Sequence, residues 1–219
     1  GDTPEGRMIY TNFLDEDGGV HADLTISRLG VDSYRVVTGG ADGNRDWVTM
    51  RNYRDDTGLD ADINIRTHDI STLGLWGPEA KNALGHFIDP SEISIDNFPF
   101  VTAKYLTLNL SGGKKIDVWA ARISYVGESG WELYLNNDSE DGLALYDSLL
   151  EVGVVPVGIE TYANSRRLEK SFRLQGADLE TNYNACESAI ERRLVKAADF
   201  HGKAAHLVHR EEQPSAILC

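Results

Sequence analysis

The chain has 219 residues, 41% hydrophobic and 26% charged, and a formal net charge of −14. That length supports one large domain or two small ones, with a core that needs neither metals nor disulfides. A chain so acidic repels nucleic acid phosphates and anionic membranes, and no apolar run approaches the ~20 residues of a membrane helix, so neither is expected as a partner.

GRMIYTNFL reads as a strand, and EDGG turns it into VHADLTISRL, where Val20, Ala22, Leu24 and Ile26 alternate with polar residues at period two. SYRVVT reads as a third strand. DGNRDWVTMRNY reads as a helix with Asp42 as N-cap. ADINIRTHD and ISTLGLWG are strand-like, and GPEAKNALGHF is a helix with Pro78 at its start. After the Pro-containing IDPSEISIDNFPF come three strands, in AKYLTLNL, KKIDVWAARISYVG and WELYLNN. SEDGLALYDSLLEVG is a helix whose apolar faces use Leu143, Leu145, Leu149 and Leu150, and another runs from about Glu160 to Lys170. Strands outnumber helices and hairpin signals dominate the middle, so the class is α+β rather than doubly wound α/β.

Three segments can carry chemistry. In ISYVGESGWELYL (Ile123–Leu135), Gly127 and Gly130 permit a tight turn, and Glu128 and Glu132 flank it. One carboxylate can accept two N–H donors side by side, and a nearby aromatic ring can stack on a flat ligand. The alternative is an ordinary hairpin with solvent-facing acids. In DEDGGVHADLTISRL, Asp23 lies on the polar face of a strand with His21. It can orient an amine or take its proton, or it is simply part of that polar face. In SRRLEKSFRLQGADL, Arg166, Arg167, Lys170 and Arg173 concentrate positive charge that can meet an anion. Arg167 and Glu169 read better as structural pairs with their neighbours. Tyr162 and Asn164 precede this cluster and can line the same pocket.

Other chemistries find no support. His201, His206 and His209 sit in HGKAAHLVH, which lacks HExxH spacing, so no metal site is expected. No phosphate-binding glycine loop is present. Cys186 and Cys219 form no disulfide framework, Cys186 reads as a structural thiol, and a reducing cytoplasm suits the pair. The start, GDTPEGRMIY, has no signal-peptide pattern.

In order, EDGGVHADLTISRL, TLGLWGPEAKNAL, YVGESGWELYL, RRLEKSFRLQGADL and DFHGKAAHLVHREE resemble the glycine-cleavage T-protein (aminomethyltransferase) family, over about Gly6 to Glu212. The resemblance implies a folate-binding α+β domain with mixed or antiparallel sheets and flanking helices over residues 1–198. That domain would comprise two intertwined subdomains split near 54–100. Residues 199–219 would be the start of a C-terminal β-barrel that is otherwise largely absent. The family's opening segment has no counterpart here, so the chain resembles an excerpt of a longer protein or a shortened relative. By position, Asp23 would be the catalytic aspartate, and Glu132 rather than Glu128 would hold the pterin. Tyr125 would line the ring pocket, joined by Tyr162, Asn164 and Arg173.

Where the glycine-cleavage enzymes have an arginine, in A-R-D-x-L-R-L-E, this chain has Ala163 in YANSRRLE. The chain therefore looks closer to the folate domains of dimethylglycine oxidase and sarcosine dehydrogenase. The iron–sulfur-assembly signature K-G-C-Y-x-G-Q-E is missing. The expected function is transfer of a methyl or methylene unit from a small methylated amine to tetrahydrofolate, the cosubstrate. The chain has no flavin motif of its own, so any oxidation needs a flavin-containing domain or subunit elsewhere. The alternative is a non-catalytic folate-binding or regulatory module.

Overall fold

The computed structural model describes residues 3–137, 140–191 and 195–212. In chain order the strands are β1 (Met8–Leu14), β2 (Val20–Arg28), β3 (Tyr34–Thr38), β4 (Ile70–Trp76), β5 (Ala103–Asn109), β6 (Lys115–Ala121) and β7 (Gly130–Asn136). The helices are α1 (Gly43–Thr57), α2 (Ala80–Leu84), α3 (Asp141–Glu151), the single turn α4 (Arg167–Glu169) and α5 (Lys203–Glu212). This is an α+β fold with two sheets, ordered β1-β2-β3 and β4-β7-β6-β5. No helix among the described residues is long and apolar enough to cross a membrane.

The chain divides into two units: one holds the residues up to Ile9, Ser27–Arg35 and Asn64–Arg166, the other Tyr10–Ile26, Val36–Ile63 and the residues from Arg167 on. The four-stranded antiparallel sheet belongs to the first unit. Its period-two patterning separates two faces. On one, Leu75, Leu106, Leu108, Ile116, Val118, Ala120, Trp131, Leu133 and Leu135 form the core with Leu84 of α2 and with Leu145 and Leu149 of α3. Leu143 and Leu150 of α3 remain exposed instead, so only one of the helix's apolar stripes is used. Arg122, just past β6, is itself buried. Its Nη1 donates to the carbonyls of Phe98 at 2.7 Å, Ser94 at 3.2 Å and Ile93 at 3.4 Å, and its guanidinium lies over the Trp131 ring.

The second unit contains residues 10–14, 20–26 and 36–38 of the other sheet, together with α1, α4 and α5. Val20, Leu179 and Ala185 form its small core, with Leu14 and Ile190 against them. Gly19 is required here, because a Cβ would run into the carbonyl of Thr181. Arg167, 5% exposed, pairs with Asp178, whose carboxylate also accepts from the Leu174 amide.

Two strand expectations change. ADINIRTHD is no strand: residues 60–66 are irregular and mostly exposed, and a 3₁₀ turn follows at Thr67–Asp69. The strand expected through KKIDVWAARISYVG stops at Ala121, and residues 122–129 form a loop, so Ile123–Leu135 is a loop feeding one strand rather than strand-turn-strand. The helix expected at Glu160–Lys170 is present: residues 159–169 are helical, with π-type winding over Thr161–Arg166 before α4. Asp42 stands at the N-cap of α1 but makes no capping hydrogen bond; its carboxylate pairs with Arg45 at 3.0 Å instead. The stretch from residue 199, read as the opening of a barrel, carries α5.

Candidate functional site

In the first unit, the sheet face opposite the core carries Trp76, Glu132, Tyr134 and Trp119. Residues paired in register share a face, so Glu132 stands between Gly74 on β4 and Ala121 on β6, and Tyr134 between Thr72 and Trp119. The Tyr134 hydroxyl donates to Glu132 Oε2. Tyr134 packs edge-on against Trp119, centroids 5.0 Å apart. Burial raises Glu132 above the usual carboxylate range, and the Tyr134 hydrogen bond pulls part of the way back. Tyr134 is itself pushed up by burial and by the adjacent carboxylate, so the phenol keeps its proton.

Aromatic rings gather beside Glu132. A Cβ at Gly74 would collide with the six-membered ring of Trp76, so the indole folds back over Gly74, the residue opposite Glu132. Tyr162 stacks on Trp76 at 5.3 Å and 25°, and Tyr125 lies 5.4 Å from Tyr162. Trp76 Nε1 donates to the Ile123 carbonyl at 2.9 Å, which ties the loop after β6 to the end of β4. Gly130 opens β7 with φ 157° because a Cβ there would meet the Leu75 carbonyl. Glu128 is engaged elsewhere, in a 2.6 Å ion pair with Arg166. Asn164 is exposed, and its amide donates to Glu160.

In the second unit, Asp23 sits half-buried on β2, and the Tyr10 hydroxyl donates to its Oδ2 at 3.2 Å. Burial raises Asp23 above the usual range, the Tyr10 hydrogen bond lowers it, and Asp42 and Asp46 add to the rise. Asp46 is fully buried and accepts from Thr38 and Arg45. His21 does not pair with Asp23. Thr49 donates to the Arg45 carbonyl at 3.1 Å, so His21 Nε2 donates to Thr49 Oγ1, also at 3.1 Å. Arg173 is buried, donating to the carbonyls of Ser188 at 2.8 Å and Ser171 at 2.6 Å.

Sequence reasoning missed Tyr134, Trp76 and Trp119. Tyr134 was within reach, since a strand places residue i+2 on the same face as Glu132. Trp76 follows Gly74 at the same spacing, but nothing local shows the indole folding back over it.

The arrangement offers a desolvated carboxylate with one oxygen steadied by a phenol, beside a group of stacked rings. It suits a flat heterocycle with N–H donors along one edge. In the second unit, Asp23 is a carboxylate whose raised proton affinity suits a general base or an amine-orienting group.

The model of the GCVT N-terminal domain matches residues 1–197. Mitochondrial dimethylglycine dehydrogenase of Homo sapiens is 35% identical over 206 residues, 91% of this chain and 23% of that protein. Aminomethyltransferase of Halothermothrix orenii is 30% identical over 219 residues, 98% of this chain and 57% of that protein. Glycine cleavage system aminomethyltransferase T from Bartonella henselae shares the fold, with a TM-score of 0.79 at 22% identity, over 97% of this chain and 55% of that one. The chain thus spans about a quarter of the dehydrogenase and somewhat more than half of the aminomethyltransferase. It belongs to the GCVT N-terminal domain family.

Proposed function

We propose that the chain is the folate-handling part of a tetrahydrofolate-dependent one-carbon transferase, taking a methyl or methylene unit from a small methylated amine. The observation that carries this reading is Glu132: a desolvated carboxylate held by Tyr134 on a sheet face with Trp76, Tyr162 and Tyr125 beside it. Its Oε1 accepts N–H groups of the pterin edge while Tyr134 fixes Oε2. Tyr125 and Tyr162 supply ring contacts, with Trp76 behind Tyr162. Tetrahydrofolate, as cosubstrate, supplies an amine that accepts the one-carbon unit. Asp23 takes the proton or steadies the charge that develops on that amine, and Tyr10 keeps the carboxylate aimed. Asn164 stays at the rim. Arg173, engaged by carbonyls, is assigned to holding its own unit together rather than to the folate tail.

Likeness to the dimethylglycine dehydrogenases, at 35% identity, together with Ala163, favours an N-methyl amine donor. Oxidation of such a donor would fall to a flavin-containing domain or subunit outside this chain. A cytoplasmic location is proposed from cysteine usage alone.

The test is titration with tetrahydrofolate, comparing wild type with Glu132→Gln, then a coupled screen of methylated amines on the full-length parent. Binding that weakens at least tenfold in Glu132→Gln supports the pocket. Equal binding overturns it. Folate binding with no product from any donor reduces the reading to a binding module.

A further inference from the structure

Arg35, on β3, belongs to the first unit and has no carboxylate within ion-pair distance among the described residues. Its guanidinium carbon lies over the Trp119 ring, 4.2 Å from the centroid, with the Tyr134 ring at 5.8 Å. Stacking satisfies the face of a guanidinium and none of its five in-plane N–H donors. Nη1 is buried from solvent with no hydrogen-bond partner among the described residues.

The charges around Arg35 make this arrangement costly. The groups that favour its charge are the phenols of Tyr105 and Tyr134, whereas Arg66 opposes it, and burial disfavours it most. Arg35 is half-buried as a whole, and withdrawing its Nη1 from water without a partner carries a desolvation cost. This chain carries 35 acidic side chains against 21 basic ones, yet among the described residues none is spent on Arg35. Tyr105, which flanks it, is 68% exposed, so this end of the sheet face is open to solvent. Trp119 and Tyr134 connect Arg35 to Glu132: one aromatic wall carries an anionic group at one end and an unmatched cation at the other.

We propose that Arg35, backed by Trp119 and flanked by Tyr105, is a carboxylate-binding subsite on the same sheet face as Glu132. Resting on the function proposed above, it selects ligands that bear a carboxylate. Two sources carry that group: an N-methyl amino acid donor, and the glutamate of the folate itself. Guanidinium N–H groups of Arg35 reach the two carboxylate oxygens in the paired geometry that a planar fork favours.

The experiment measures binding to the full chain with two matched pairs of probes. One pair is 5-formyltetrahydrofolate and the corresponding pteroate without glutamate. The other is N,N-dimethylglycine and its amide. Wild type should prefer the acid in at least one pair. Arg35→Gln should cut that preference on the order of tenfold or more while leaving the carboxylate-free probe unaffected. The pair that loses its preference identifies the source. Thermal melting of the unliganded variant separates this from a structural role: the melting point should hold or rise, because an unmatched buried charge is gone. Arg35→Lys retains the charge without the fork and should keep only part of the preference, which preserves the test should Arg35→Gln not fold. Acid preference unchanged in both variants overturns the subsite, as does equal weakening of acid and amide with a lowered melting point. Wild type that binds no folate at all overturns the functional reading, and the subsite with it.

Discussion

Tyr134 donates its hydroxyl to the carboxylate of Glu132, two residues earlier on the same strand and the same sheet face. A phenol that keeps its proton acts as a permanent donor, so it fixes which carboxylate oxygen remains available. Tyr134→Phe should therefore weaken tetrahydrofolate binding by about 1–2 kcal/mol, roughly five- to thirtyfold, without unfolding the sheet. Titration of the two proteins at one pH checks this. The lower limit of the binding pH profile should also move upward in Tyr134→Phe, because the hydrogen bond holds the carboxylate's proton affinity down.

Both raised carboxylates leave a signature on stability. A group held above its unfolded value binds its proton more tightly in the folded state. Its contribution to stability is full below the unfolded value, about pH 4 for a carboxylate, and is lost as pH rises through the folded one. Without ligand, Glu132→Gln should therefore melt higher than wild type at pH 7, and the gap should close as the pH falls toward 4. Paired melts across that range decide it; a gap that widens on acidification contradicts the assignment.

Asp23 is assigned to the reaction rather than to holding ligand. Asp23→Asn should retain folate affinity within a few-fold and lose turnover by at least about a hundredfold. The acid limb of kcat/KM should lie above the ordinary carboxylate range, and Tyr10→Phe should push it higher still, since that hydrogen bond favours the ionised form. Steady-state kinetics on the full-length parent provides both readouts.

Gly74 gives a finer probe. Its Cβ would meet the Trp76 ring, yet its backbone is ordinary β-strand. Gly74→Ala should displace the indole, disturb its stack with Tyr162 and reduce folate affinity several-fold while the core opposite is untouched. By contrast Leu133→Ala, on the core face, should cost about 2–5 kcal/mol of stability. Denaturant melts and ligand titrations on the two variants should separate cleanly.

Much of this was readable in the order of residues. Alternation in VHADLTISRL marks a strand, and AKYLTLNL and WELYLNN read as strands as well. The loop at residues 122–129 was not readable, because ARISYVG has strand composition and its path is decided by distant partners: Arg122 reaching Phe98, and Trp76 reaching Ile123. The π-type winding within the Glu160–Lys170 helix was not readable for a similar reason, since Tyr162 is drawn onto Trp76 and Arg166 onto Glu128. Arg35 is one charge in the strand SYRVVT, and nothing local shows that it meets Trp119, 84 positions away in sequence.

The segment from Ile93 to Phe98 is gathered from within by one side chain. Three of its carbonyls converge on a single nitrogen of Arg122, so the segment is pinned from the inside, as a cord gathered by one knot. Cutting that knot with Arg122→Ala would release six residues of main chain at once while the strands on either side kept their pairing. Proteases would find the change before spectroscopy did, with cleavage appearing within IDNFPF in an otherwise folded protein.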